Sequence, residues 1–485
     1  MEVDAALGLP ALVIVGLPDQ AVKEAKERVR TAILNSQYRL PSKRFIVNLA
    51  PADLKKEGGV FDLAIALGLL AASGQLDPER LASVVVLGEL ALDGRVRPIR
   101  GALPIALALR GSGHRLLVPA PNAPEAANVS GLEVAPVSSL REAVDDLSGE
   151  RPIAAADPPP RPASAAEGYP IDFAEIKGQA HAKRALEVAA AGGHHVLFIG
   201  PPGSGKTMLA SRLPTILPEL ALEEALEATA IHSVCGTLEG ASLVWQRPFR
   251  APHHTSSAVA LIGGGASPKP GEISLAHQGV LFLDELPEFH RDALESLRQP
   301  LEEGRVRIAR AKRSLVFPAR CQLVAAMNPC PCGYLTDARG RCHCPSTRVA
   351  AYVGKISGPL LDRIDLHVDV PALPVQVMTS APPGDSSAQM RSRVQAAHQY
   401  RLARGQPGPN ACLRVKELKA RCRMSPKALR LLTSALQDLA LSVRSYTKIL
   451  KIARTIADLA SQELIQPEHV GEAIQYRSLD RPWWG

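Results

Sequence analysis

The chain has 485 residues and a net charge of +8, with 46% hydrophobic, 21% charged and 4% aromatic residues. That length suggests about three domains, each able to bury a core without disulfide staples. The longest apolar run, Leu63 to Ala72, is ten residues and too short to span a bilayer. No basic stretch followed by an apolar one opens the chain, so a cytoplasmic location is expected, and the eight cysteines are expected reduced.

In chain order, the first block (1–148) alternates short apolar runs with helical periodicity. Ala11 to Val15, Phe45 to Leu49, Val84 to Leu87 and Arg115 to Val118 read as strands. Gln20 to Ile33 and Asp62 to Ala72 read as helices. This predicts an α/β or α+β domain. Residues 149–170 hold Pro158, Pro159, Pro160 and Pro162 among Ala and Ser, and read as an extended linker. A second core covers 171–378, and a short Pro/Gly linker covers 379–389. The block 390–485 reads as helices: Met390 to Arg404, Leu413 to Arg423, Pro426 to Leu441, Ser445 to Ser461 and Pro467 to Tyr476. From Arg391 onward, 17 Lys/Arg face 7 Asp/Glu, so the basic excess sits in the last fifth of the chain. A basic face binds a polyanion through counterion release. A solvated helix surface is the alternative.

The strongest chemical signal is His195-Val-Leu-Phe-Ile-Gly200-Pro201-Pro202-Gly203-Ser204-Gly205-Lys206-Thr207. It satisfies G-x-x-x-x-G-K-[ST], with an apolar strand before it and a helical stretch after it. Glycines there let backbone N–H groups curl around phosphates at a helix N-terminus. Lys206 is expected on the β- and γ-phosphates of ATP and Thr207 on Mg2+. In Gly279-Val-Leu-Phe-Leu-Asp284-Glu285, an apolar strand ends in two carboxylates 77 residues after Thr207. Asp284 is expected in the Mg2+ shell and Glu285 to polarise the attacking water. Gln322 to Met327 reads as another strand. It ends in Asn328, either a residue that positions that water or a plain turn-starting Asn.

Four of the eight cysteines lie within 15 residues, as Cys330-Pro-Cys332 and Cys342-His-Cys344. Four thiolates at that span can hold one tetrahedral Zn2+ in a closed, structural site. A metal-free reduced loop is the other reading, and His343 is an alternative ligand.

The central block resembles the magnesium-chelatase type of AAA+ ATPase, and nearly the whole chain resembles the YifB/ComM family. The strings that carry this are Ile176 to Gln179, Gly200 to Thr207, Arg247 to His254 (RPFRAPHH), Pro268 to His277, Gly279 to Pro287, Asn328 to Gly333 and Gly358 to Asp365 (GPLLDRID). The resemblance implies a P-loop AAA+ core with a helical lid. It makes Asn328 the sensor-1 residue, Arg363 an arginine finger offered to a neighbouring subunit, and Arg444 a sensor-2 arginine in the lid. A finger acting in trans implies a homo-oligomer, a ring of six.

Arg305 to Phe317 alternates around a basic tip, which predicts a hairpin. In the family's clade this hairpin points into the ring pore. Arg310, Lys312 and Arg313 there, and Lys269 beside Gly263 to Gly265, are the expected DNA contacts. A solvated surface hairpin is the alternative.

The first block resembles a degenerate Lon-protease-like domain (ribosomal S5 domain 2-like, α+β) through Gly88 to Ile99. The segments Glu57 to Asp62 and Arg100 to Leu103 hold neither the Ser nor the Lys that such a peptidase needs, so no peptidase activity is expected. Family members usually carry a further N-terminal strand segment. The true start is therefore expected upstream of Met1, or the domain is expected to lack an edge strand. The resemblance implies an ATP-driven ring motor acting on DNA, with branch migration during uptake and integration of transforming DNA as its task. The alternatives are a chelatase-type motor that remodels a protein partner for magnesium insertion, or an unfoldase.

Overall fold

The computed structural model describes residues 1–485 except 163–168, 239–241, 266–267, 311–312, 337–339, 375–383, 440–441 and 478–485. The chain divides into two compact units. One is 1–162 with 229–244, and the other is 163–228 with 245–485. Residues 229–244, inside the block read from sequence as the second core, thus group with the first unit.

The first unit holds strands β1 (Glu2–Ala6), β2 (Ala11–Val15) and β3 (Arg44–Asn48) in the order β1-β3-β2. β1 runs antiparallel to β3, and β2 runs parallel to it. β1 was not foreseen; it occupies a sheet edge. A second sheet, β4 (Val84–Val86), β7 (Arg115–Pro119) and β8 (Val134–Val137), is parallel throughout. Between its strands, β5 (Glu89–Leu90) and β6 (Val96–Arg97) form the strand-turn-strand element expected around Gly94.

Helix α1 (Gln20–Asn35) begins where the Asp19 carboxylate accepts the Val22 N–H at 2.8 Å. Helix α2 (Asp62–Ala72) is apolar on every face and buried, as its composition requires. Helices α3 (Ala102–Ala108), α4 (Ala123–Ala126) and α5 (Leu140–Ser148) complete the unit. The following Pro-rich stretch is partly tethered. The Ile153 N–H donates to Asp146 at 2.7 Å and the Ala156 N–H to the Val134 carbonyl at 2.8 Å.

The second unit is built on five parallel strands: β9 (Val196–Ile199), β10 (Phe249–Arg250), β13 (Val280–Leu283), β16 (Gln322–Met327) and β17 (Leu366–Asp369). Their order is β10-β13-β16-β9-β17. β9, β13 and β16 are buried along their whole length, as unbroken apolar runs predict for a sheet covered on both faces. Helices α6 (Ala180–Gly192) and α7 (Lys206–Ile216) flank β9, and α8 (Leu222–Cys235) follows.

Small elements decorate the sheet: α9 (Ala258–Ile262), the ribbon β11 (Gly263–Gly264) with β12 (Lys269–Pro270), α10 (Glu272–Leu275), α11 (Arg291–Ser296) and α12 (Arg298–Glu303). The predicted hairpin exists. β14 (Arg305–Arg310) pairs antiparallel with β15 (Arg313–Pro318), with Arg310 opposite Arg313. Helices α13 (Ser346–Val353) and α14 (Gly358–Leu361) precede β17.

The C-terminal helices are α15 (Ser387–Ala403), α16 (Val415–Arg421), α17 (Pro426–Asp438), α18 (Val443–Leu459) and α19 (Pro467–Gln475). α15 starts inside the stretch read as linker, because Ser386 and Gln389 close a capping box. Val394, Ile449, Ile452, Ala453 and Val470 from these helices share one buried cluster with Val196, Phe198 and Leu213. Among the described residues, no helix is long and apolar enough to cross a membrane.

Candidate active site

In a parallel sheet, ligands bind beyond the carboxyl ends of the strands. Four segments meet there. The loop after β9 runs Gly200 to Gly205, Asp284 follows β13, Asn328 follows β16, and Pro371 lies just after β17. Gly205 caps α7 in the left-handed region at φ 91°, and Gly203 sits at φ 76°. A Cβ at either position would meet nothing within 4 Å, so open space lies against both. At Gly200, by contrast, a Cβ would lie 2.1 Å from the Val370 carbonyl oxygen, so only glycine lets β9 pass the chain leaving β17.

The functional side chains converge on this loop. The buried Lys206 ammonium donates to the Gly200 and Pro201 carbonyls at 2.8 and 2.9 Å, and to Asn328 Oδ1 at 3.3 Å. Burial pulls its pKa down, and the carboxylates of Asp284 and Glu285 pull it back up. The Thr207 hydroxyl donates to Asp284 Oδ2 at 2.8 Å, so the two expected Mg2+ ligands already face each other. This donor pair of hydroxyl and carboxylate oxygens suits a hard divalent cation. The buried Ser204 hydroxyl has no partner among the described residues. Lysine, loop N–H groups and open space at Gly203 and Gly205 together fit a triphosphate.

Glu285 takes φ 52°, a left-handed backbone uncommon for a side-chain-bearing residue. Its carboxylate lies 3.1 Å from His254 Nδ1. His254 belongs to the RPFRAPHH string, but sequence alone assigned it no role. Gln179 also went unassigned. It is buried at φ 53° and donates from Nε2 to the Ser204 carbonyl (3.2 Å) and the Pro371 carbonyl (2.8 Å). It thereby joins the phosphate loop to the chain after β17.

Arg363 and Arg444 form a separate group. Arg363 donates to the Arg298 carbonyl at 3.2 Å, to the Pro359 carbonyl at 2.8 Å, and to the Glu302 carboxylate. Arg444 donates to Asp362 at 2.8 Å and its side chain is 79% exposed. Two residues after Arg363, buried Asp365 faces Lys448 of α18 at 3.3 Å and His194 at 3.4 Å, and accepts the His195 N–H at 3.2 Å. Burial raises the Asp365 pKa, but Lys448 and His194 outweigh it and hold the group ionised far below the usual carboxylate range.

The other candidates fall as follows. Lys269 is exposed on β12, opposite Gly264. For Arg310 and Arg313 the strand pairing is described but not the side chains, and Lys312 lies outside the described residues. Cys330, Cys332, Cys342 and Cys344 bring their sulfurs within 4.8 Å of one another.

A glycine loop at the carboxyl ends of a parallel sheet, with an Asp-Glu strand end beside it and helices packed against the sheet, has the arrangement of a P-loop fold of the AAA+ type. Three family models match the chain. "Magnesium chelatase, subunit ChlI" covers residues 172–378, "Subunit ChlI of Mg-chelatase" covers 1–122, and "Magnesium chelatase, subunit ChlI C-terminal" covers 384–477. The chain is 46% identical to competence protein ComM of Haemophilus influenzae, over 99% of this chain and 94% of that one. It is 44% identical to YifB of Escherichia coli with the same coverage. Lon protease 2 of Bacillus subtilis is 29% identical over 28% of this chain and 26% of its own. The chain belongs to the YifB/ComM family of magnesium-chelatase-like proteins.

Proposed function

We propose that the chain is an ATP-hydrolysing ring motor that acts on DNA, with branch migration or helicase activity in recombination during natural transformation. The observation that carries the ATPase reading is the convergence of Lys206, Thr207, Asp284 and Asn328 on one glycine loop, with direct hydrogen bonds among them. Residues 171–378 are its motor core, 390–485 its lid, and 1–148 a Lon-like domain without peptidase chemistry.

In this reading, Lys206 exchanges its two carbonyl partners for the β- and γ-phosphates of ATP. Thr207 and Asp284 would hold Mg2+, which would supply charge neutralisation at the phosphates. Glu285 leaves His254 to orient the attacking water and take its proton, and Asn328 holds the water's other side. Arg363 serves the neighbouring subunit's nucleotide in a hexamer, and Arg444 reports the nucleotide state to the lid. The thiolates of Cys330, Cys332, Cys342 and Cys344 hold a structural Zn2+.

DNA as the polymer is supported by the likeness to a competence protein and by the basic C-terminal block. The exposed Lys269 and the hairpin of Arg310, Lys312 and Arg313 are the contacts assigned to its backbone. The test is ATP-dependent displacement of a labelled strand from a forked or three-stranded DNA, with Glu285→Gln as the blank. Displacement by the wild type alone is expected. No displacement under any salt or nucleotide condition counts against the reading.

The family models favour one second reading, since they are named for magnesium chelatase. A motor of that kind remodels a protein partner, and its ATP turnover would respond to protein rather than to DNA.

A further inference from the structure

The strand that ends in Asn328 continues directly into the thiol cluster, and the cluster returns to the phosphate loop. Cys330 is fully buried two residues after Asn328. The Gly333 N–H donates to the Cys330 carbonyl at 2.9 Å, closing a tight turn over Pro331 and Cys332. Gly333 sits at φ 85°, and a Cβ there would lie 2.6 Å from Cδ of Pro202, inside the phosphate loop. The turn that carries two cysteines therefore stacks on the loop that holds Lys206.

The four sulfurs have the geometry of one ion's ligand set. Cys330 and Cys332 are 3.3 Å apart, Cys330 and Cys342 3.7 Å, and Cys332 and Cys342 3.6 Å. A tetrahedral ion with Zn–S bonds of about 2.3 Å requires sulfur separations of about 3.8 Å. Four soft thiolates select Zn2+ over the hard Mg2+ of the nucleotide site, and they leave no open coordination position. The Cys344 N–H points at the Cys342 sulfur at 3.5 Å, a supporting contact of the kind that orients metal ligands.

Besides the sulfurs, the segment is crossed by Arg341, which lies 4.0 Å over the Tyr334 ring. Among the described residues, 331–345 contain no helix and no strand. The chain after it enters α13, which carries the buried Tyr352. Gly333, between the two cysteine pairs, faces both Pro202 and Asn328, whose Cγ lies 3.8 Å from the same Cβ position.

We infer that the four-cysteine site is a zinc brace for the nucleotide pocket: its zinc fixes the Gly333 turn against Pro202 and holds Asn328 at Lys206, so nucleotide affinity depends on zinc occupancy. This rests on the ATPase and zinc readings given above. The cysteines act through Pro202 and Asn328 and are positioning residues.

The test uses the full chain purified without chelator. Zinc is measured by elemental analysis, and the Kd of a fluorescent ATP analogue by titration. One zinc per chain is expected in the wild type. Stripping it with an organomercurial and removing that reagent with excess thiol is expected to weaken nucleotide binding at least tenfold, and added Zn2+ to restore it. Cys332→Ser is expected to lose zinc and affinity together, with no rescue by added Zn2+. Gly333→Ala is expected to keep its zinc yet bind nucleotide more weakly, because its Cβ displaces Pro202. Lys206→Ala is expected to lose nucleotide while keeping one zinc per chain.

A wild type without zinc overturns the brace. So does a zinc-free protein that binds nucleotide as tightly as the loaded one. A zinc-loaded wild type that binds no nucleotide overturns the ATPase reading, and the brace with it.

Discussion

If Glu285 is the proposed general base, replacing it by Gln is expected to separate hydrolysis from binding. The amide keeps the side chain's size and the left-handed backbone at φ 52°, but it cannot take a proton from water. A positioned general base contributes about 10²–10⁴ in rate, or about 2.7–5.5 kcal/mol of barrier. The proposed function assigns binding to Lys206, Thr207 and the loop glycines, none of which bonds to the Glu285 side chain among the described contacts. The His254 pair at 3.1 Å has side chains 30% and 55% exposed. Such a pair is worth about 0–1 kcal/mol, so overall stability is expected to stay within that range. Single-turnover hydrolysis of labelled ATP and titration with a fluorescent analogue read the two effects. The expected result is a rate at least a hundredfold lower with a Kd within about threefold of wild type, taking the general-base range above. A variant that retains more than a tenth of the rate, or loses binding in step with rate, would refute the reasoning.

Three further predictions concern stability and the lid. Gly200→Ala places a Cβ 2.1 Å from the Val370 carbonyl, whereas Gly203→Ala meets nothing within 4 Å. Overpacking costs about 1–3 kcal/mol or more, and the left-handed backbone alone about 1–2. The expected Tm order is therefore wild type, Gly203→Ala, Gly200→Ala, and the reverse order of the two variants contradicts it. Arg444→Ala breaks a pair whose side chains are 79% and 40% exposed, so thermal stability is expected to change little, by less than about 1 kcal/mol. ATP turnover at saturating nucleotide is expected to fall at least tenfold if the lid arginine reads the nucleotide, and unchanged turnover removes that role. Finally, burial pushes His195 down to about 4, and its Nδ1 accepts the Leu323 N–H at 3.0 Å, which only the neutral ring can do. The unfolded chain binds this proton near 6.5 and the folded chain does not. The contribution is therefore complete above about pH 6.5, falls by about 1.4 kcal/mol at pH 5.5, and levels off below about 4 after a total loss of about 3 kcal/mol. Urea unfolding of wild type and His195→Asn across this range checks it, and equal slopes for the two proteins count against it.

The glycine loop between β9 and α7 and the Asp284-Glu285 strand end were readable as structure because their signals are local. Each is a short string whose spacing alone fixes a turn, a helix start or a buried strand. The hairpin from Arg305 to Pro318 and the C-terminal helices were readable for the same reason, from alternation and capping residues. What escaped was pairing between distant segments. Gln179 reaches Ser204 and Pro371 only because α6, β9 and β17 pack together. His254 meets Glu285 because β10 lies beside β13 in the sheet. Asp365 and Lys448 are 83 residues apart, and neither string hints at a buried ion pair between core and lid. β1 was passed over because Glu2–Ala6 is short and carries two acids, yet its edge position needs only backbone hydrogen bonds to β3. The sulfur geometry adds to the cysteine spacing a closeness that two C-x-C pairs nine residues apart do not imply.

The most direct test of the central claim is steady-state ATP hydrolysis by the full chain with and without single-stranded and forked DNA, across a salt series, with Lys206→Ala as the blank. The account predicts several-fold stimulation by DNA that weakens as salt rises, since phosphate contacts release counterions, and no turnover in the variant. ATP turnover indifferent to every DNA at low salt would contradict it and would point to a protein client.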